Sequence, residues 1–179
     1  MSIKFKAEKK FNFKEKRFYL NNDPTVLHCH HYTTLLTQLA NDATKFNGPN
    51  IMRSTSEEIF YPILAEYFKK YNVTSVEDRA SISEQYYSYI GLGLMKICVD
   101  DYSAELIHSH LDEAWLKNWS ISDRPVNYIT QGFLSAAFSA ITDSRIGTFE
   151  GEETQSIACG AETSKFTIDK TGEKNAKRF

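Results

Sequence analysis

The chain has 179 residues, a length that fits one domain of ordinary size, and 41% of them are hydrophobic, which is enough for a core. Its formal net charge is −2, so the overall charge excludes the basic footprint of a nucleic-acid-binding protein. No apolar run reaches the roughly 20 residues that a membrane span needs, and the first residues lack the apolar core of a signal peptide. Three cysteines without a CxxC pair favour reduced thiols in a cytoplasmic protein.

The first part of the chain predicts strands followed by two helices. Apolar residues alternate with lysines in parts of residues 3–20, which is typical of strands with one solvated face. The sequence NNDP that follows offers an N-cap and an early proline, so we expect a helix over 24–46. The sequence NGPN predicts its end, and STSE predicts that a second helix begins near Ser54 and is kinked at Pro62.

The remainder predicts a sheet and three more helices. A helix is expected over 76–90, and the sequences LMKICV and AELIHSH flank DDYS and predict a β-hairpin over 94–110. A short helix in LDEAWLKNW and a helix rich in small residues over 125–141 come next, and RIGTF and SKFTI predict the last strands. We therefore predict an α/β fold of the α+β type, an antiparallel sheet flanked by helices, in a single domain over 1–179 whose N-terminal portion, 24–75, is helical.

All five histidines lie in two short stretches, LHCHHYTTLL and LIHSH. On a helix, residues three apart share a face, and on a strand residues two apart do so. Two such pairs that converge would form a first-row metal site. We therefore predict an iron or zinc site made by His28, His31, His108 and His110. Two alternatives stay open: a metal-free acid–base pocket, or histidines clustered by chance, each with local hydrogen bonds.

The expected orientation of these histidines follows from their apolar neighbours. His31 continues the helical stripe of Leu27, Leu35 and Leu39, so we expect it to point into the domain. Leu106 shares a strand face with His108 and His110, which predicts the same for that pair.

Aromatic residues make up 13% of the chain, which permits either a pocket walled by rings or an aromatic core. Tyr32 and Trp115 are candidate ligand contacts under the first interpretation. Under the second, Trp115 and Trp119, four residues apart, form one packing face.

From about residue 76 to 168 the chain resembles the 4-vinyl-reductase domain, a small-molecule-binding family. YYSYIGLG is similar to the aromatic helix of the family, which ends in glycines. RPVNYITQGFLSAAFSAITDSRI is similar to its proline-led helix, and EETQSIACGAETSKFTI to its closing hairpin. The resemblance implies an antiparallel sheet flanked by helices, related to TRAPP-type trafficking subunits. It also implies an apolar or aromatic ligand, Tyr128 as a ligand contact, and a homodimer.

One departure from the family concerns metal binding. In its sensor members a Glu and two Cys of the closing hairpin help to bind zinc. Glu153 matches that Glu, but Ser156 and Ser164 occupy the cysteine positions, and Cys159 is out of register. Because a serine hydroxyl does not replace a thiolate, we expect no zinc in this hairpin.

The sequence as a whole predicts a cytoplasmic, homodimeric small-molecule-binding protein with an aromatic-lined pocket and a histidine-rich metal site. Its partner would be a small apolar or aromatic ligand, with neither nucleic acid nor a membrane involved. The alternative is a metalloenzyme in which histidine-bound iron or zinc acts on such a compound.

Overall fold

The structure is a computed structural model that describes residues 3–26 and 29–171, apart from the side chain of His30. The described residues form seven strands and five α-helices. The strands are β1 (Lys9–Asn12), β2 (Arg17–Leu20), β3 (Asp23–Thr25), β4 (Gly93–Cys98), β5 (Ser103–Ser109), β6 (Phe149–Gln155) and β7 (Ser164–Lys170). The helices are α1 (His30–Asp42), α2 (Gly48–Lys70), α3 (Val76–Tyr89), α4 (His110–Trp119) and α5 (Tyr128–Ile141).

The three N-terminal strands form a small antiparallel sheet in the order β1-β2-β3. Asn21 and Asn22, with φ values of 51° and 77°, make the two-residue turn that joins β2 to β3. Asparagine tolerates this left-handed conformation, and the turn matches the natural twist of a hairpin. The sequence NNDP is therefore a hairpin turn, and the prediction that a helix begins at residue 24 is wrong.

The break between the first two helices also differs from the prediction. Asn47 adopts a left-handed conformation at φ 54°, and α2 begins directly after it at Gly48, ahead of the expected start at Ser54. A Cβ atom on Gly48 would collide with the carbonyl oxygen of Ala40, so the glycine lets α2 start in close contact with α1. Pro62 lies inside α2, as expected.

The main sheet is antiparallel in the order β4-β5-β7-β6, which confirms the predicted fold class. The predicted helix over 76–90 is confirmed as α3, and the Ser75 hydroxyl caps it by accepting a hydrogen bond from the Asp78 N–H at 3.1 Å. RIGTF contributes its last residue, Phe149, to β6.

Helix α5 lies between α2 and the main sheet, and every residue of it except Ile129 is buried. It begins at Tyr128 rather than Pro125 because the Asn127 side chain accepts a hydrogen bond from the Thr130 N–H at 3.2 Å. The small residues serve packing within the chain: a Cβ atom on Gly132 would collide with the backbone of α2. In the described part of the chain, no helix is long and apolar enough to cross a membrane.

Candidate ligand-binding site

A cavity with a volume of about 640 Å³ lies between the N-terminal sheet and helices α1, α2 and α3. Its size falls within the range of small-molecule sites in proteins. Aromatic and aliphatic side chains form much of its wall, among them Phe5, Phe60, Ile63, Leu64, Tyr67 and Tyr86. This part of the molecule is the candidate site for an apolar ligand.

Tyr86 gives this wall a polar group. Its side chain is 8% exposed, and its ring packs against Phe5 and Phe60 with centroid separations of 5.6 and 6.3 Å. Burial raises the pKa of Tyr86, and the negative charge of Asp23 adds to this shift, so the hydroxyl stays protonated. The hydroxyl makes no hydrogen bond within the described residues, and it is therefore available to a ligand.

Two other tyrosines of the cavity, Tyr67 and Tyr71, have hydrogen-bond partners. The hydroxyl of Tyr67 accepts a hydrogen bond from the Lys6 N–H at 2.7 Å, and that of Tyr71 donates one to the carboxylate of Glu8 at 2.8 Å. These bonds attach the N-terminal segment to α2 and to Tyr71, the residue that follows the last residue of α2. The bond to Glu8 uses the Tyr71 proton, whereas the Tyr67 hydroxyl accepts in its bond to Lys6 and retains a proton that it can donate.

The three predicted ligand contacts lie in two places. Tyr32, 57% exposed, lines the cavity from α1. Trp115 and Tyr128 are buried in a separate small core at α4 and α5, where the Tyr128 hydroxyl donates to Asn41 Oδ1 at 3.0 Å. Neither of the two lines the cavity. Contact of these residues with a ligand stays a prediction.

The apolar stripe of α1 faces outward. Leu35 and Leu39 are 49% and 56% exposed, and His31 is exposed beside them. The buried side of the helix carries Thr33, Thr34, Thr37 and Ala40 instead. The expectation that the stripe points into the domain is therefore wrong. Small side chains face α2 because the two helices approach each other closely at Gly48, which leaves little room for leucines.

A β-bulge lies directly before His108 in β5. Leu94 pairs with His108 but Met95 pairs with Leu106, so Ile107 is an extra residue in the strand. Leu106 is consequently buried while His108 is exposed, with its Nδ1 3.7 Å from Glu113 Oε1. His110 is the first residue of α4 and is half-buried. The expectation that Leu106, His108 and His110 share one strand face is wrong.

The histidine metal site itself stays a prediction. His28 lies outside the described residues, as does the side chain of His30. Within residues 3–26 and 29–171 there is no group of three or more His, Cys, Asp or Glu side chains placed to hold a metal ion.

Two carboxyl groups, Asp112 and Glu153, lie in a buried polar cluster between α4, α5 and the closing hairpin. They are 0% and 5% exposed. Asn127 joins them: its side-chain amide donates to Asp112 Oδ2 at 2.8 Å, and its backbone N–H donates to Glu153 Oε2 at 3.2 Å. The Ser164 hydroxyl lies 3.5 Å from Asp112 Oδ2, and Ser109 caps α4 by accepting from the Asp112 N–H at 3.0 Å.

The environment of this pair favours the protonated acids. Burial raises the pKa of Glu153 to about 8, and the negative charge of Asp112 contributes to that shift. Burial also raises the pKa of Asp112, although hydrogen bonds from Ser109, Asn127 and Ser164 act in the opposite direction. Near neutral pH Glu153 is therefore a neutral acid, and the pair avoids two buried negative charges.

These residues do not fit zinc. Glu153, Ser156 and Ser164 do come together as the resemblance implies: all three are buried, and the two serine hydroxyls act to lower the pKa of Glu153. The donor set, however, consists of two carboxyl groups and two hydroxyls, whereas structural zinc sites are built from thiolates and imidazoles. The Ser164 hydroxyl also accepts from the Ile157 N–H at 2.9 Å, a bond that holds the hairpin together without metal. The absence of zinc here stays a prediction.

Comparison with known proteins gives matches at the level of structure. No protein-family model matches the sequence, and no curated protein matches it. The phenol-responsive sensory domain of the transcription activator PoxR, solved with phenol, matches with a TM-score of 0.74 and 14% identity over 94% of this chain and 89% of that one. A vinyl-4-reductase family protein from Methanocaldococcus jannaschii matches with a TM-score of 0.53 and 13% identity, over 82% of this chain and 84% of that one.

The chain has the fold of these two domains. At 13–14% identity the likeness establishes the fold and nothing finer. It covers more of the chain than residues 76–168, on which the sequence resemblance depends.

Proposed function

We propose that this chain is a sensory-type small-molecule-binding domain that holds an aromatic or apolar ligand in the cavity between the N-terminal sheet and helices α1, α2 and α3. The cavity itself carries the proposal, because it combines an aromatic wall with the hydroxyl of Tyr86, which makes no hydrogen bond within the described residues. The PoxR sensory domain, which has the same fold and was solved with phenol, supports the choice of ligand class.

The cavity favours a ligand that is apolar over most of its surface and has one hydrogen-bonding group. Burial of an apolar ring contributes about 25 cal/mol per Å² removed from water. A hydrogen bond to the Tyr86 hydroxyl adds about 1 kcal/mol to the binding free energy. A ligand without a hydrogen-bonding group lacks this contribution. An engineered cavity of about 150 Å³ already accepts benzene, so a volume of about 640 Å³ has room for a substituted or two-ring compound.

Phenol and toluene are suitable first probes because they differ by the group that Tyr86 would bind. We expect both to shift the amide resonances of residues around the cavity. In Tyr86→Phe the affinity for phenol should fall by about fivefold, which corresponds to one hydrogen bond, while toluene binds equally well. The matched control is Tyr61→Phe, because Tyr61 donates to the Ser144 carbonyl at 3.0 Å and does not line the cavity.

A second variant tests the volume of the cavity. Ile63→Trp places an indole in the site and should abolish the binding of both probes. The proposal fails if phenol binds Tyr86→Phe and Ile63→Trp as it binds the wild type, or if the shifted resonances map to another part of the molecule.

A further inference from the structure

The first hairpin of the chain carries a dense positive charge. Strands β1 and β2, with the turn between them, span residues 9–20, which contain five basic residues and one acidic residue. Their local net charge is therefore +4, whereas that of the whole chain is −2. The five basic side chains are all exposed, and none of them forms an ion pair within residues 3–26 and 29–171: Lys9, Lys10, Lys14, Lys16 and Arg17. We call residues 9–20 the basic hairpin.

Three phenylalanines cluster at the tip of the basic hairpin. Phe11 and Phe18 are paired directly across the two strands, with their ring centroids 4.7 Å apart, and the Phe13 ring lies 5.0 Å from that of Phe11. Phe13 is 77% exposed and Phe18 49%, and none of the three rings belongs to the hydrophobic core, which the hairpin reaches through Leu20 at the end of β2. The tip is therefore an apolar wedge flanked by cations.

We propose that the basic hairpin docks the protein on the surface of an anionic lipid bilayer. The lysines and the arginine attract the anionic headgroups, and the phenyl rings enter the boundary between the headgroups and the acyl chains. We expected no membrane partner from the net charge and from the lack of an apolar span, but neither observation describes a surface contact made by one hairpin. Of the hairpin residues only Leu20 lines the cavity, so the docking can be tested without a ligand.

The shape of the tip favours a bilayer over other anionic partners. Proteins that bind single-stranded nucleic acids stack successive bases on open aromatic faces. Here the rings of Phe11 and Phe13 are perpendicular, and the ring of Phe18 is tilted by 52° against that of Phe11, so the three form a compact wedge without a row of parallel faces. An acidic protein surface would pair with the cations, but it would need a matching pocket for the Phe13 ring. A fluid bilayer accepts the ring without one.

Co-sedimentation of the full chain with lipid vesicles tests the docking. The wild type should bind phosphatidylcholine vesicles that contain about 30% phosphatidylserine, should not bind pure phosphatidylcholine, and should dissociate at high salt. Phe13→Ala should weaken this binding by about tenfold, because it removes the inserted ring, and Lys14→Gln by about fivefold, because it removes one cation near the surface. The matched controls should bind like the wild type. They are Phe46→Ala, at an equally exposed ring (77%) between α1 and α2, and Lys117→Gln, at an exposed position of α4.

Several results would overturn the proposal. One is a wild type that does not bind the phosphatidylserine vesicles, or hairpin variants that bind them as tightly as the two controls do. Another is binding that Lys14→Gln weakens but Phe13→Ala leaves unchanged, which would mean that charge alone acts and no ring enters the bilayer. A single-stranded oligonucleotide that binds more tightly than the vesicles and displaces the protein from them would assign the hairpin to nucleic acid instead. Phe18→Ala is a second variant of the tip, in case circular dichroism shows that Phe13→Ala fails to fold.

Discussion

The substitution Glu153→Gln tests the buried pair of carboxyl groups. Glutamine keeps the shape of the side chain and an oxygen that accepts the hydrogen bond from the Asn127 N–H, now 3.2 Å from Glu153 Oε2. It removes the ionisation whose pKa burial and Asp112 raise from 4.5 to about 8. The variant therefore isolates the contribution of this one proton to stability.

The direction and size of the effect follow from the two pKa values. In the unfolded chain the Glu153 carboxyl ionises near its ordinary pKa, whereas the folded protein holds the proton up to about pH 8. The stabilisation is complete below about pH 4.5 and is lost as the pH rises through about 8. At 1.36 kcal/mol per pKa unit, the wild-type free energy of unfolding should decrease by on the order of 5 kcal/mol across this window.

Denaturant unfolding at several pH values between about 5 and 8 measures this slope. Glu153→Gln should be the more stable protein at about pH 8, and its free energy of unfolding should depend less on pH than that of the wild type. Glu152→Gln, a substitution of the exposed neighbour on β6, should keep the wild-type slope. Wild-type stability that rises from pH 5 to 8, or the same slope in Glu153→Gln, would refute the assignment of the buried proton to Glu153.

Two further substitutions test the packing and capping of α5. Gly132→Ala should lower the free energy of unfolding by about 1–3 kcal/mol, because the new Cβ atom collides with the Arg53 carbonyl and approaches Ser56 Cβ to 2.6 Å. A thermal melt with unchanged midpoint would contradict this close contact. Asn127→Ala should cost at least about 2 kcal/mol in the same assay, since it removes the cap of α5 and leaves Asp112 without its amide donor. A loss as small as that of an ordinary exposed cap would show that the buried bond to Asp112 contributes little.

Local signals in the sequence predict much of the sheet and of α3. The hairpin predicted around DDYS and the helix predicted over 76–90 depend on residues that are close together in the chain, and both are confirmed by the structure. Local signals do not predict which side of a helix is covered. Periodicity correctly places Leu35 and Leu39 on one face of α1, but the choice between inside and outside is made by the close approach of α2 at Gly48.

The predictions for LIHSH fail for a related reason. One extra residue, Ile107, reverses the alternation within β5, and then the Ser109 cap ends the strand and starts α4 at His110. The buried carboxyl pair is also missed by spacing rules, because Asp112 and Glu153 come from distant parts of the chain. Of the two carboxyl groups, the family resemblance identifies only Glu153. The serines at the cysteine positions indicate that contacts other than zinc hold the hairpin to the domain.

The buried pair and the cavity meet at the start of α5. Asn127 hydrogen-bonds both carboxyl groups, and it also caps α5 by accepting from the Thr130 N–H. The Thr130 hydroxyl lies 2.6 Å from the hydroxyl of Tyr87, the residue after Tyr86. Ile129, in the same first turn of α5, lines the cavity. The polar cluster therefore fixes the first turn of α5, which forms one wall of the cavity. Loss of the Glu153 proton would place a second negative charge next to this wall. The stability of the cavity wall should therefore depend on the protonation of Glu153.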